Sequence, residues 1–189
     1  MKKILLFIYD SFAEFEIVLF TTALNQEEFQ LVTFSTKPAC ETVTGVSSMS
    51  YVPTLTIDDI DVNEFEALVI PGGTTHPLLT HQPLQAIIRA FYDQNKTIAA
   101  ICGGPALLGA AGILQEITFT ASLTPDDHEY NDVMNWDNKL EQMLVVDRQV
   151  ITATGSNYVQ FAEEVLRRIG SVPEDEQNPL QYFREPSMN

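Results

Sequence analysis

Ile98-Ala99-Ala100-Ile101-Cys102-Gly103-Gly104-Pro105-Ala106-Leu107-Leu108 decides how this 189-residue chain folds. An apolar run of the kind that fills a buried strand stops at one cysteine. Two glycines and a proline follow, and then small residues with helical spacing. This is the pattern of a strand–nucleophile–helix turn with Cys102 at its tip. Glycine lets the backbone turn sharply beside the sulfur. Pro105 suits a first helical turn, where its missing N–H leaves nothing unpaired. Free N–H groups at that helix start favour an anion, and so a thiolate. Taken alone, the stretch fits a small buried hydrophobe equally well, the commonest fate of a free cysteine. A second stretch shifts the balance. Phe65-Glu66-Ala67-Leu68-Val69-Ile70-Pro71-Gly72-Gly73-Thr74 is another short buried strand ending in a glycine turn. In a parallel sheet both turns emerge at the same edge, where ligands bind.

Around these two turns the chain alternates short strands and helices. Strands are expected at Lys3 to Tyr9, Phe29 to Ser35 and Thr97 to Ile101. A hairpin of Leu144 to Val146 with Val150 to Ala153 turns around Asp147-Arg148. Helices are expected at Glu14 to Leu24, with Phe15, Val18, Leu19 and Thr22 on one face, and at Leu84 to Tyr92 behind Pro83. Two more are expected, from Ala106 to Ala111 ended by Gly112, and from a Ser156 cap to about Ile169. Lys37 to Val52 reads as a hairpin or loop. Residues 1–170 form one α/β domain with a mostly parallel sheet, and 171–189 a polar arm or tail.

Composition narrows the partners. The chain carries 26 acidic against 10 basic residues, a net charge of −16. That balance disfavours nucleic acid and anionic membranes. The short basic pairs, Lys2-Lys3 and Arg167-Arg168, flank a strand and end a helix. Ile4 to Ile8 is too short for a signal-peptide core, and Asp10 interrupts it. We expect a cytoplasmic protein with free thiols at Cys40 and Cys102. No metal or cofactor is expected. Asp58, Asp59 and Asp61 lack the glycine and distal glutamate of a calcium loop, and Asp126, Asp127 and His128 are neighbours in sequence that rarely converge on one ion.

Three blocks in order, KILLFIYDSFAEFE (3–16), ALVIPGG (67–73) and IAAICGGPALL (98–108), resemble the ThiJ/PfpI family of the class I glutamine amidotransferase-like superfamily. The resemblance runs from Lys2 to about Gly170. It implies a single flavodoxin-like three-layer α/β sandwich. It also implies that a carboxylate near the first strand reaches the elbow cysteine, a position matched by Glu16. Glu14 competes, but two positions along a helix turn a side chain away, so only one can face the site. The resemblance further implies an oxyanion and binding pocket from the amides of Gly72, Gly73 and Gly103.

The signs constrain Glu16. An ionised carboxylate about 4 Å from a thiolate costs on the order of 4 kcal/mol at an effective dielectric near 20. A helix N-terminus returns only about 0.3–2 kcal/mol. A reactive Cys102 therefore requires Glu16 to hold the proton and donate it toward sulfur, with the pair titrating together.

The pattern also has gaps. One branch of the family places histidine directly after the cysteine, where this chain has Gly103. Another places it after a Thr-Thr pair, matched here by Phe119-Thr120-Ala121-Ser122, so that Ser122 replaces it. His76 and His128 remain as possible pocket residues, with Tyr130, Asn131 and Trp136 near the mouth. His81 is expected on the surface. Without a family histidine proteolysis is disfavoured, since hydrolysis by cysteine normally needs a base. The expectation is a cysteine-dependent hydrolase, lyase or glyoxalase type acting on a small electrophilic substrate. The alternatives are a cysteine-oxidation stress sensor, whose partner is an oxidant, and a non-enzymatic ligand-binding module. The resemblance also implies a homodimer.

Overall fold

The computed structural model describes residues 1–173, 175–176 and 179–184. Nine strands and four α-helices follow in the order β1 (Lys2–Phe7), α1 (Phe15–Ala23), β2 (Phe29–Ser35), β3 (Val43–Thr44), β4 (Ser50–Tyr51), β5 (Leu55–Thr56), β6 (Phe65–Ile70), α2 (Gln82–Asp93), β7 (Thr97–Ile101), α3 (Pro105–Ala110), β8 (Leu144–Asp147), β9 (Val150–Ala153) and α4 (Tyr158–Ile169). The main sheet runs β5-β2-β1-β6-β7-β9-β8. Every pairing in it is parallel except β8 with β9. Helices α1 and α4 pack together on one face, and α2 and α3 on the other. This is the three-layer α/β sandwich expected from the sequence.

Covered faces explain the strand composition. Residues 67–70 and 98–101 are all fully buried, as a parallel strand with helices on both sides requires. The order reverses at β1, since β2 lies on one side of it and β6 on the other. The crevice outside the carboxyl ends of β1 and β6 is therefore the topological switch point where such sheets bind ligands. Helix α2 buries Leu84, Ile88, Phe91 and Tyr92, a 3.6-residue stripe.

Some local expectations change. Helix α1 turns Phe15 and Val18 outward, 52% and 48% exposed, and buries Glu16, Ile17 and Phe20. The helix is apolar on nearly all sides, so spacing gave no unique face. Ser156 does not cap α4; it lies in a 3₁₀ turn, Gly155–Asn157, that precedes the helix. His81 is half-buried rather than on the surface, because its Nδ1 accepts the Leu84 N–H at 3.2 Å and caps α2. The Lys37 to Val52 stretch is a hairpin of two-residue strands. The tail does pack. Leu180 is buried, and Arg184 pairs with the buried Glu163 of α4. Residues 174, 177, 178 and 185–189 of that tail lie outside the described residues.

Candidate active site

The elbow forms because β7 ends at Ile101 and the next residue takes a positive φ. Cys102 has φ +63°, a backbone state a non-glycine residue holds only when its surroundings impose it. Here they do. The Cys102 N–H donates to Ala153 O at 2.9 Å, and its carbonyl accepts the Ser122 N–H at 3.0 Å. These bonds fix the backbone on both sides of the Cys102 side chain. Only one amide of the elbow faces the sulfur, that of Gly103. The following amides are engaged, Gly104 with Ile101 O at 2.8 Å and Ala106 with Gly103 O at 3.2 Å. The expected cluster of free N–H groups at the helix start thus reduces to a single donor, because α3 is one short helix begun by a tight turn.

Glu16 comes to the same point from α1. It is 1% exposed, and its Oε2 accepts the Gly72 N–H at 2.6 Å. Its other oxygen, Oε1, has no oriented partner. The polar group beside that oxygen is the Cys102 thiol. A methyl carbon built on Gly155 would lie 3.0 Å from Glu16 Oε1 and 3.1 Å from Cys102 Sγ, so the carboxyl and the sulfur share one small enclosure. Gly72 forms another wall, since a methyl there would stand 2.5 Å from Cys102 Cβ and 2.8 Å from Glu16 Oε2. Gly72 needs glycine for this close approach, while at Gly155 a methyl would fit only if a neighbour gave by a few tenths of an ångström.

Glu14 goes elsewhere. It accepts from the Ser47 hydroxyl at 2.5 Å and anchors the β3–β4 hairpin. The choice between the two acids therefore falls on Glu16 as a matter of which side of α1 each occupies. Gly73, with φ +116°, carries the turn after β6 against Phe12.

Burial raises the Glu16 carboxyl above its ordinary range, while the Gly72 N–H and the Cys102 thiol pull it back. The thiol is pushed up to about 11, first by burial and next by the charge of Glu16. Hydrogen bonds from Ser122 and from the Gly103 N–H act in the opposite sense. The elbow does not lower the cysteine on balance; desolvation and the neighbouring acid outweigh the helix start. With Glu16 ionised, Cys102 rests as a thiol, and the thiolate exists where the proton has moved to Glu16.

The histidines are each engaged. His128 is exposed, with Nδ1 3.1 Å from Pro125 O. His76 sets its ring edge-on to Tyr130, 5.9 Å between centroids. The Tyr130 hydroxyl is 3.4 Å from Thr75 Oγ1, itself 3.3 Å from Gly103 O. His76 thus borders the elbow through two intervening side chains, and His128 does not approach it by any bond the structure shows. Asp59 and Asp61 accept from Thr56 and Asn63 as turn caps. Two residues near the sulfur carry more than the sequence assigned them, Gly155 and Ser122. Gly155 gave no local signal, since its role depends on β9 lying beside β7. A cleft of about 320 Å³ opens at the same sheet edge, bounded by Tyr9, Asp10, Ser11, Ser35, Lys37 and Leu78. Tyr9 ties it to the site, donating to Gly72 O at 2.7 Å.

The fold and the cysteine–glutamate pair define an α/β protein with a nucleophile elbow, and comparison with known proteins gives that class a name. Residues 2–168 match the DJ-1/PfpI family, and the chain belongs to that family. It is 30% identical over 175 residues to the Protein/nucleic acid deglycase 2 of Escherichia coli, covering 90% of this chain and 99% of that one. It is 29% identical over 174 residues to the uncharacterized protease YdeA of Bacillus subtilis, covering 89% and 84%. Among solved structures, the DJ-1 superfamily protein Atu0886 of Agrobacterium tumefaciens superposes with a TM-score of 0.83 at 28% identity, covering 97% of each chain. Among the described residues, no helix is long and apolar enough to cross a membrane.

Proposed function

We propose that this chain is a cysteine-dependent enzyme acting on a small electrophilic carbon, with carbonyl compounds and their amine adducts as the first substrate class. One observation carries the reading. A buried carboxyl, fixed by the Gly72 amide, presents its free oxygen to the thiol of a strained elbow. That arrangement serves proton transfer between the two groups and serves packing poorly, since an unpaired buried carboxyl oxygen is unfavourable.

In the working form Glu16 holds the proton and Cys102 is the thiolate. The sulfur lone pair forms a C–S bond, and the carbonyl π pair moves to oxygen. The Gly103 N–H, with the Gly73 turn opposite, stabilises that oxygen. Glu16 then gives its proton to the oxygen. The deglycase name of the E. coli relative is in keeping with carbonyl-derived substrates. That name also includes nucleic acid, and the charge of −16 weighs against a polyanionic substrate here.

The test is turnover of a panel of α-oxoaldehydes, glycated amines, small amides and a casein control, by the native chain, Cys102→Ala and Glu16→Gln. The expected result is carbonyl turnover that disappears in Cys102→Ala and falls at least 100-fold in Glu16→Gln, without casein cleavage. Turnover unchanged in Cys102→Ala would overturn the reading. So would no turnover of any member together with stoichiometric peroxide oxidation of Cys102, which would favour the sensor.

A further inference from the structure

Ser122 stands in the loop after α3, beside the sulfur, where it replaces a histidine found in one branch of the family. It is exposed, yet both of its polar groups near the elbow are committed. Its N–H donates to Cys102 O at 3.0 Å. Its Oγ accepts the Gly155 N–H at 2.9 Å. A hydroxyl carries one hydrogen to donate. With an acceptor position of Oγ filled by Gly155, that hydrogen is left to turn toward the Cys102 sulfur, which the same glycine brings beside it. Gly155 has two uses here. It supplies the amide that orients Ser122, and its missing side chain leaves room for the sulfur, since a methyl would lie 3.1 Å from Sγ.

We propose that Ser122 is a catalytic residue of this site, an oriented hydroxyl that donates to the Cys102 sulfur and stabilises the thiolate without being able to take its proton. The inference rests on reading Cys102 as the nucleophile, and it deepens that reading. An imidazole can take up a proton near neutrality, whereas a serine hydroxyl exchanges only hydrogen bonds. Replacing histidine by serine therefore keeps the donor and removes the base. Glu16 is then the proton carrier of the site, and the protons balance on that one acid. Neutral Glu16 with Cys102 thiolate and a carbonyl becomes ionised Glu16 with a neutral hemithioacetal. The C–S bond forms, the π pair goes to oxygen, and the proton of Glu16 follows it. The substrate class this favours is an aldehyde or activated ketone, whose addition needs one proton and no departing amine.

The test reads the thiol itself, so it does not depend on knowing the substrate. Cys40→Gly, which suits the φ of +67° at that position, leaves Cys102 as the only thiol. In that background, iodoacetamide alkylation is followed from pH 6 to 10 for Ser122, Ser122→Ala, Ser122→Thr and Ser122→His. Losing one hydrogen bond to the thiolate raises the cysteine by about one pK unit, a tenfold loss of thiolate. The higher basicity returns about threefold in nucleophilicity, which leaves a net slowing of about threefold. Ser122→Ala should show that slowing, Ser122→Thr should restore the rate, and Ser122→His should add an inflection near pH 6.5. An alanine variant as fast as its parent, or a threonine variant as slow as alanine, would overturn the proposal. If Ser122→Ala slows alkylation while no carbonyl is turned over, the enzyme reading and the catalytic role of Ser122 fall, and only its stabilisation of the thiolate stands.

Discussion

Gly72 N–H and Glu16 Oε2 meet at 2.6 Å, so the amide expected among the oxyanion donors instead holds the Glu16 carboxyl in place. The bond joins the end of β6 to α1 across the switch point. It leaves only the second carboxyl oxygen facing the sulfur. Under the proposed function, the Gly103 N–H and the Gly73 turn are then the donors left for a substrate oxygen.

Stability should respond to Glu16 in a defined direction. Burial raises its folded-state pKa, so the folded protein binds more protons than the unfolded chain between the ordinary carboxyl value and the raised one. Unfolding free energy therefore falls as pH rises through that window and stays lower above it. Glu16→Gln removes the ionisation and keeps an acceptor for Gly72 N–H. The variant should melt higher than the native chain at pH 7, with the difference shrinking as the pH falls toward the ordinary value of 4.5 and changing no further below it. Thermal melts from pH 4 to 8 check it. A glutamine variant that melts lower at pH 7 would show that the charge stabilises the fold.

Gly155→Ala tests the enclosure. Its methyl would sit 3.0 Å from Glu16 Oε1 and 3.1 Å from the sulfur, so one of them must move by a few tenths of an ångström. Overpacking of this kind costs about 1–3 kcal/mol. The expected outcome is a folded, modestly destabilised protein whose Cys102 reacts several-fold more slowly with iodoacetamide. Equal reactivity would place the sulfur and carboxyl farther apart than the structure has them.

Leu180 and Arg184 tie the described part of the C-terminal segment to α4. Leu180 is 2% exposed, and Glu163 is reached by both the Leu180 N–H and Arg184. Leu180→Ala should destabilise by about 2–4 kcal/mol, the range for a buried leucine replaced by alanine. Urea unfolding measures it. A change under 0.5 kcal/mol would mean the segment does not pack in solution.

Phe15 and Val18 form an outward apolar pair on α1, close to the hairpin that carries exposed Val46 and Met49. An apolar patch of this kind suits a contact surface, and the homodimer that the resemblance implies would use it. Sedimentation equilibrium should give a dimer for the native chain and a monomer for Val18→Asp. A native monomer at all concentrations would remove the homodimer.

Much of this architecture was legible in the sequence. Strands such as Phe29–Ser35 and Val150–Ala153 are bounded by turn residues and read to the residue. The elbow and the Pro-Gly-Gly turn meet at one edge of the sheet, as their spacing implied. What spacing could not supply was anything set by three-dimensional neighbours. The inward face of α1 was hidden because the helix is apolar all round. Gly155 looks like an ordinary turn glycine until β9 is placed beside β7. The rise of Cys102 to about 11 depends on how deeply sulfur and carboxyl are enclosed, which no motif records. Ser122 could be read as a missing histidine, but its orientation by Gly155 could not.

The central claim is that Glu16 and Cys102 share one proton, and the pH profile of Cys102 alkylation in the Cys40→Gly background tests it most directly. A shared proton gives a thiolate fraction that does not change with pH between the two titrations of the pair. The native site should therefore show a flat rate across the neutral range and a further rise only toward the upper value near 11. Glu16→Gln, with a lone titrating thiol, should instead rise tenfold per pH unit over that range. A native profile that climbs tenfold per unit through neutrality, indistinguishable in slope from the glutamine variant, would contradict the account.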